Sequence, residues 1–446
     1  MNIIIAGAGD VGFHLAQLLS QENQDIILID KSQDVLDYSS KHLDVKTLEG
    51  DSASIKVLEN AGAEKANLLI AVTTSEKINI LTAILGKQLG VKKTIARVSS
   101  QEYLSAKQKE AFAKLGIDTL ISPQELATNE ILRLVKQCSF TDIFEFEGGV
   151  MNVLGFSLDD LSPLVNLKIS EIIEIAGDQR YKPIAILRGG ITIIPKGDTI
   201  LRRNDHLYFI VKKAYIKELT SLFGKKEVTV KNIMILGGTE LAATTARKLE
   251  NDYNVKLFEP NKDKCKLLAD SFKSALAVHA NTSDVDLLDE EGLENMDVFI
   301  ALTPNSETNI ISSLTAKNRG VYKTIAQVEN KEYTKISQNI GVDTLINKKL
   351  IAANNIFRYI RQGRVEAITS LHGVDAEIIE FLVHKDNQLT KKPINCLHFP
   401  EKALIGGVIR GNESFIPSGE FQLEVDDKVI VFAMPEAIGK MEKMFR

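Results

Sequence analysis

The chain has 446 residues, 44% apolar and 25% charged, with a net charge of −5; this excludes a disordered chain and gives no basic face for nucleic acid. Its longest apolar runs, such as ANLLIAV and KVIVFAM, are strand-sized, far short of the roughly 18 residues of a membrane span. Cys138, Cys265 and Cys396 are odd in number and far apart, which excludes a disulfide framework or a zinc site and fits a reducing cytosol.

In chain order, Met1 leads straight into a strand, so no signal peptide is expected. NIIIAG, DIILID, VKTLEGD, NLLIAVT, TIARV and TLIS read as short strands. Amphipathic segments separate them, such as 78–89, with Ile78, Leu81, Ile84, Leu85 and Leu89 on one face. Strands alternating with helices imply a parallel, doubly wound, Rossmann-like sheet over residues 1–138. A crossover helix is expected after Pro123, over Leu126–Gln137. Its apolar face, with Leu132 and Leu134, serves either subunit packing or the core of its own domain.

From about Phe140 the texture changes. Short β-rich runs broken by GG, PKGD and RND, then a helix around Ala214–Phe223, make a small α+β domain over 139–223. GKKEVTVK (224–231) is a polar connector. The chain then starts again: Asn2–Leu19 aligns with Asn232–Leu249, 68–98 with 298–328, 115–128 with 340–353, and 185–211 with 407–433. The offset drifts from 230 to 225 to 222, as expected when loops change length and elements persist. A second Rossmann-like domain is expected at 231–360 and a second small α+β domain at 361–446. The fold class is therefore α/β, a tandem duplication.

GAGDVG sets Gly7, Gly9 and Gly12 at the G-x-G-x-x-G spacing, between a strand and a helix. Gly7 makes the tight turn, Gly9 admits a pyrophosphate, and Gly12 lets helix and strand pack closely. The phosphate would lie on the helix N-terminus, where free N–H groups favour anions. Asp30 ends the second strand, where a carboxylate accepts the ribose hydroxyls and repels a 2′-phosphate. This favours NAD(H), while ATP, ADP, AMP and S-adenosylmethionine also fit an adenosine site. Asp51 faces either the adenine edge or, as an N-cap, a helix over Ser52–Glu59. Thr73 and Thr74 stand at the ligand-facing edge of the fourth strand. Arg97, ending the fifth, reaches either a phosphate or an internal ion pair.

The second loop reads GGTELA. Gly237 keeps the first glycine, whereas Thr239 replaces Gly9 and Ala242 replaces Gly12. Glu259 keeps the strand-end acid, but Asp51 becomes Asn281 and Arg97 becomes Gln327. This site keeps its ribose acceptor and loses phosphate room, so weaker binding, a smaller ligand or none is expected. The seven histidines occupy no equivalent positions in the two halves, and no catalytic constellation stands out. A module that binds a nucleotide without chemistry is favoured over an NAD-dependent oxidoreductase, which needs a proton-transfer group and a substrate domain.

IIIAGAGDVG, LIDK, EGD, LLIAVTTSEKINI and TIARV, followed by RGG…IPKGDTILRRNDHLYFI, resemble the RCK/KTN family, the regulators of potassium conductance. Two copies in one soluble chain resemble the regulatory subunits of Trk-type bacterial potassium uptake systems. The resemblance implies a homo-oligomeric ring, a tetramer, bound peripherally at the cytoplasmic face to an integral-membrane potassium transporter subunit. It implies NAD(H) or ATP/ADP as the ligand whose binding gates potassium flux. Gly7, Ala8, Gly9, Asp10 and Val11 would then cradle the pyrophosphate. Asp30, with Lys31 beside it, would hold the ribose, Asp51 and Ser52 the adenine, and Thr73, Thr74 and Arg97 the rest. Gly237, Gly238, Thr239, Glu240, Leu241, Glu259, Asn281 and Thr303 stand at the matching places. TSEK (74–77) departs from the family's more usual pair of acids, which leaves the role of Glu76 open.

Overall fold

The computed structural model describes residues 1–20, 24–158, 162–176, 180–224, 228–281, 284–330, 333, 341–361, 367–370, 376–384 and 388–445. Residues 225–227 of the connector, expected to be exposed, lie outside the described residues. The first sheet is parallel, with strands β1 (Asn2–Ala6), β2 (Asp25–Asp30), β3 (Lys46–Glu49), β4 (Leu68–Ala71), β5 (Lys93–Arg97) and β6 (Thr119–Ile121). Their order is β3-β2-β1-β4-β5-β6. The order reverses between β1 and β4, and a doubly wound sheet opens its ligand crevice at the carboxyl ends there. β1 and β4 are almost wholly apolar, as strands covered by helices on both faces must be.

A small antiparallel sheet follows, with β7 (Asp142–Phe146), β8 (Met151–Ser157), β9 (Tyr181–Arg188), β10 (Ile191–Ile193) and β11 (His206–Lys212) in the order β10-β9-β11-β8-β7. The second parallel sheet, β12 (Asn232–Leu236) to β17 (Thr344–Ile346), repeats the first as β14-β13-β12-β15-β16-β17. Its third and fourth strands are β14 (Leu276–His279) and β15 (Val298–Ala301), preceded by β13 (Asn254–Glu259) and followed by β16 (Lys323–Gln327). The second small sheet, with β18 (Ala367–Ser370), β19 (Glu377–Leu382), β20 (Ala403–Arg410), β21 (Glu413–Phe415) and β22 (Lys428–Ala433), runs β18-β19-β22-β20-β21.

The chain forms two compact units, and they do not follow the repeat boundary. The first is Met1–Asn129 together with Asn347–Ile360. Helix Lys348–Arg361, expected with the second copy, buries Ala353, Ile356 and Phe357 among Ile3, Ile5 and Ile95 of the first sheet and Leu15 of helix Asp10–Ser20. Glu130–Ile346 and Arg361–Arg446 make the second unit. In it the two small sheets share a core, with Met151, Ile184 and Ile210 beside Ile378, Ile409 and Phe432. Gly407 permits this approach, since a Cβ there would lie 2.1 Å from the Met151 sulfur.

In helix Pro123–Lys136, Leu134 is fully buried and Leu132 half-buried within the single chain, as the core reading of that face expects. The apolar stripe expected over 78–89 is corrected. Helix Glu76–Gln88 turns its small residues inward, burying Asn79, Thr82, Ala83 and Gly86, while Leu81 stays 44% exposed. A Cβ at Gly86 would stand 3.1 Å from Leu69; close approach to the sheet selects small side chains over the larger apolar ones. Helix Ser306–Asn318 does the same, burying Ser312, Ser313 and Ala316 and leaving Ile311 62% exposed.

Candidate nucleotide site

At the carboxyl ends of β1 and β4 the first unit holds a cleft of about 530 Å³. Gly7 adopts φ +105°, and a Cβ there would come within 2.8 Å of the Thr73 nitrogen. A Cβ at Gly12 would overlap the Gly7 carbonyl oxygen at 1.8 Å. Both glycines are demanded by the fold itself. Gly9 differs, because a Cβ there would meet no protein atom within 4 Å. Its open face lines the cleft with Asp10 and Val11, at the N-terminus of helix Asp10–Ser20.

Asp30 has two tasks. Its carboxylate accepts the Ala8 N–H at 2.7 Å and the Ser32 N–H at 3.0 Å, pinning the glycine loop to the end of β2. Each oxygen keeps lone pairs for a further donor, and Asp30 lines the cleft beside Lys31, Gly50 and Ser52. Ala8 is buried and contributes only its pinned backbone. The Ser52 hydroxyl accepts from Thr82 at 3.2 Å.

One of the two readings of Asp51, the helix cap, is corrected. The cleft is lined by its neighbours and not by Asp51. Its carboxylate accepts the Ala53 N–H at 3.0 Å and pairs with Lys31 at 3.0 Å, which together hold its pKa below the usual range. Nor does it cap the helix, which spans Ile55–Asn60 after Ser54.

Thr73 and Thr74 line the opposite wall. The Thr73 N–H and hydroxyl both donate to the Asn79 side-chain oxygen, at 2.8 and 2.7 Å, and the Asn79 amide donates to the Thr73 and Arg97 carbonyls. Asn79 thus clasps the ends of β4 and β5 together. The sequence reading missed it, although Asn309 repeats it in the second copy, donating to Thr303 and Gln327. Glu76 also has a structural task, accepting the Ser99 and Ser100 N–H groups at 2.8 and 2.9 Å.

Arg97 lines the cleft and is partly buried, and burial lowers its pKa. Among the described residues its guanidinium has no carboxylate partner, so the expected internal ion pair is not formed. A desolvated cation of this kind calls for an anion. Lys349, also missed, lines the same cleft from helix Lys348–Arg361, with its ammonium 2.7 Å from the Asp10 carboxylate.

The second copy reproduces the frame with other side chains at the ligand positions. Gly237 keeps φ +93° against Thr303. Gly238 and Asn261 donate to Glu259 at 2.9 and 2.8 Å. Glu259 is buried and lies 3.3 Å from the Lys264 ammonium. Thr239, in the place of Gly9, caps its helix by accepting from the Ala242 N–H and donates its hydroxyl to the Leu302 carbonyl at 2.9 Å. Glu240 faces Arg247 of its own helix at 3.5 Å, Leu241 is buried, and Asn281 is exposed. Gln327, in the place of Arg97, is buried and donates to Glu329 at 2.8 Å.

Residues 3–123 and 233–348 match the TrkA-N domain family, and 153–224 and 378–446 match the TrkA-C domain family. The chain is 32% identical to the Trk system potassium uptake protein TrkA homolog of Archaeoglobus fulgidus, over all of both chains. It is 32% identical to the Trk system potassium uptake protein TrkA of Halomonas elongata, over all of this chain and 99% of that one. Among solved structures, the GsuK RCK domain covers the whole chain and 94% of its own, with TM-score 0.59 and 14% identity. The GsuK channel bound to NAD covers the whole chain and 78% of its own, with TM-score 0.60 and 15% identity. Among the described residues no helix is long and apolar enough to cross a membrane. With both halves matched and full-length relatives at this identity, the chain belongs to the TrkA family of Trk-system potassium uptake proteins.

Proposed function

We propose that the chain is a nucleotide-sensing regulatory subunit whose first copy binds NAD(H) or an adenine nucleotide such as ATP or ADP, without chemistry. The ligand gates an integral-membrane potassium-translocating subunit, to which the chain docks peripherally from the cytoplasmic side as a homotetramer. The observation that carries the reading is the pairing of Gly9, whose open face admits a pyrophosphate, with Arg97, a partly buried cation in the same cleft that has no acidic partner among the described residues. Asp30 supplies the ribose acceptor. The fold is shared with a channel that holds NAD in one structure and ADP in another. Assembly is supported by Leu81 and Ile311, apolar and exposed at equivalent positions of the two copies. Apolar surface repeated in this way is what a ring contact requires.

Gating needs a ligand with different affinities for two states, since equal affinity shifts nothing. The test is calorimetric titration of wild type and Arg97→Gln with NADH, NAD, ATP and ADP. At least one ligand is expected to bind without NADH being consumed. Arg97→Gln, which copies the second repeat, should weaken it about tenfold or more by removing a charge-assisted contact. Binding that ignores Arg97 removes the carrying observation, and turnover of NADH would make the protein an oxidoreductase.

A further inference from the structure

We propose that Lys349 is a phosphate-binding residue of the first cleft, held by Asp10 until a diphosphate-bearing ligand takes it. This rests on the nucleotide reading and adds to it a residue from the other half of the chain.

The position of Lys349 is built rather than incidental. Its helix is anchored in the first core by Ala353, Ile356 and Phe357. The Asn347 side-chain oxygen accepts the Lys349 and Leu350 N–H groups at 3.0 and 3.1 Å, which fixes the first turn. From there the side chain lines the cleft and sets its ammonium 2.7 Å from Asp10. Asp10 is itself the first residue of the helix that follows Gly9, and its side chain is 71% exposed.

Asp10 and a bound pyrophosphate seek the same thing. Both are anions at one helix N-terminus, drawn by the same dipole and free N–H groups. A pyrophosphate carries more charge than a carboxylate and presents more acceptor oxygens. A lysine ammonium is a compact charge on a flexible stem, so it can pass from the exposed carboxylate to the incoming phosphate while its helix stays in place.

The second repeat supports the assignment by what it lacks. Glu240 keeps the acid of Asp10, but it faces Arg247 on its own helix. The residue of the first repeat that aligns with Lys349 is Gln124. The lysine is therefore present only in the segment that serves the cleft with the open Gly9 and with Arg97. Lys349 also follows β17 of the second sheet by three residues. A ligand that recruits it is therefore held in part by a helix supplied by the second repeat.

The test is calorimetry on the full chain with ADP and adenosine, using wild type, Lys349→Ala, Lys349→Gln, Asp10→Asn and Asp10→Asn combined with Lys349→Ala. Both Lys349 variants should weaken ADP about tenfold and leave adenosine unchanged. Asp10→Asn should tighten ADP severalfold, and by clearly less when Lys349 is absent. Equal loss of ADP and adenosine overturns the phosphate role, as does a gain from Asp10→Asn that is as large without the lysine as with it. Should Lys349→Ala fail to fold, Lys349→Gln and the exposed Asp10→Asn still decide. If wild type and Arg97→Gln behave as the nucleotide reading requires while Lys349 variants bind normally, only this inference falls. If wild type binds none of the nucleotides, both fall.

Discussion

The two nucleotide loops share a backbone and differ in what their side chains leave available. In both, a glycine at positive φ closes on the end of the fourth strand, an acid pins the next N–H, and an asparagine clasps strands four and five. In the first, Gly9 faces open space and Arg97 has no acidic partner among the described residues. In the second, Thr239 spends its hydroxyl on Leu302, Glu259 lies against Lys264, and Gln327 turns to Glu329. The duplication thus separates two parts of one motif. Gly7, Asn79 and the loop-pinning acid are required by the turn and recur. Gly9 and Arg97 have no such task in the turn; the proposed function assigns them to a ligand, and the second copy replaces them.

The largest effect should come from making the first loop like the second. Gly9→Thr adds a side chain where no protein atom lies within 4 Å, so stability should hold. Under the proposed function the same side chain would stand in the path of the pyrophosphate, and overpacking of this kind should weaken binding on the order of 100-fold. Thermal unfolding and calorimetry on one sample separate the two. If the variant binds like wild type, Gly9 is not the entry point and the contrast between the copies loses its meaning.

A second contrast concerns equivalent lysines at the start of the fifth strand of each sheet. Lys93 is exposed, with its ammonium 5.9 Å from the centre of the Tyr359 ring. Lys323 is buried and donates to the Phe140 carbonyl and the Thr344 hydroxyl at 2.8 Å each. It lines a cavity of about 250 Å³ with Cys138, Lys317 and Asp343. Burial pulls its pKa from 10.5 to about 8, against the opposing pull of Asp343 and Asp142. Between those values the unfolded chain binds more protons than the folded one, so this group makes stability rise with pH. The gain should be on the order of 2 kcal/mol from pH 8 to 10.5. Wild type should therefore gain on Lys323→Met across that window in denaturant unfolding, whereas Lys93→Met should track wild type. Parallel curves for wild type and Lys323→Met would remove the titration.

Much of this was legible in the sequence because it is local or periodic. The repeat, the alternation of strand and helix, and the glycine spacing need only neighbours in the chain. What escaped depends on partners that periodicity does not name. Helix Lys348–Arg361 has an apolar face, but nothing in its own residues says that the face belongs to Ile3 and Leu15. With that helix came Lys349. The apolar stripe of 78–89 misled because a helix lying close to a sheet buries Ala83 and Gly86 and turns Leu81 outward. Strand position alone does not register the Lys31 that pairs with Asp51 from one strand away. Asn79 and Asn309 could have been found. A buried amide kept in both copies, six residues beyond the fourth strand's threonine, is the signature of a backbone clasp.

The smallest effect sharpens the comparison from the other side. Thr239→Gly gives the second loop the residue of the first. It removes a hydroxyl that donates to Leu302 and accepts from Ala242, at a cost of about 1 kcal/mol in unfolding free energy. It should not create a nucleotide site, because the other ligand positions remain altered. Gln327 carries no charge for a phosphate, and Lys264 stays beside the acid that would take the ribose. Calorimetry with NADH and ADP on a background carrying Gly9→Thr, so that the first cleft is silent, would isolate the second copy. No heat is expected. If binding appeared, one glycine would be enough to reopen the site, and the difference between the copies would reside in the loop alone rather than in the loop together with the strand ends that face it.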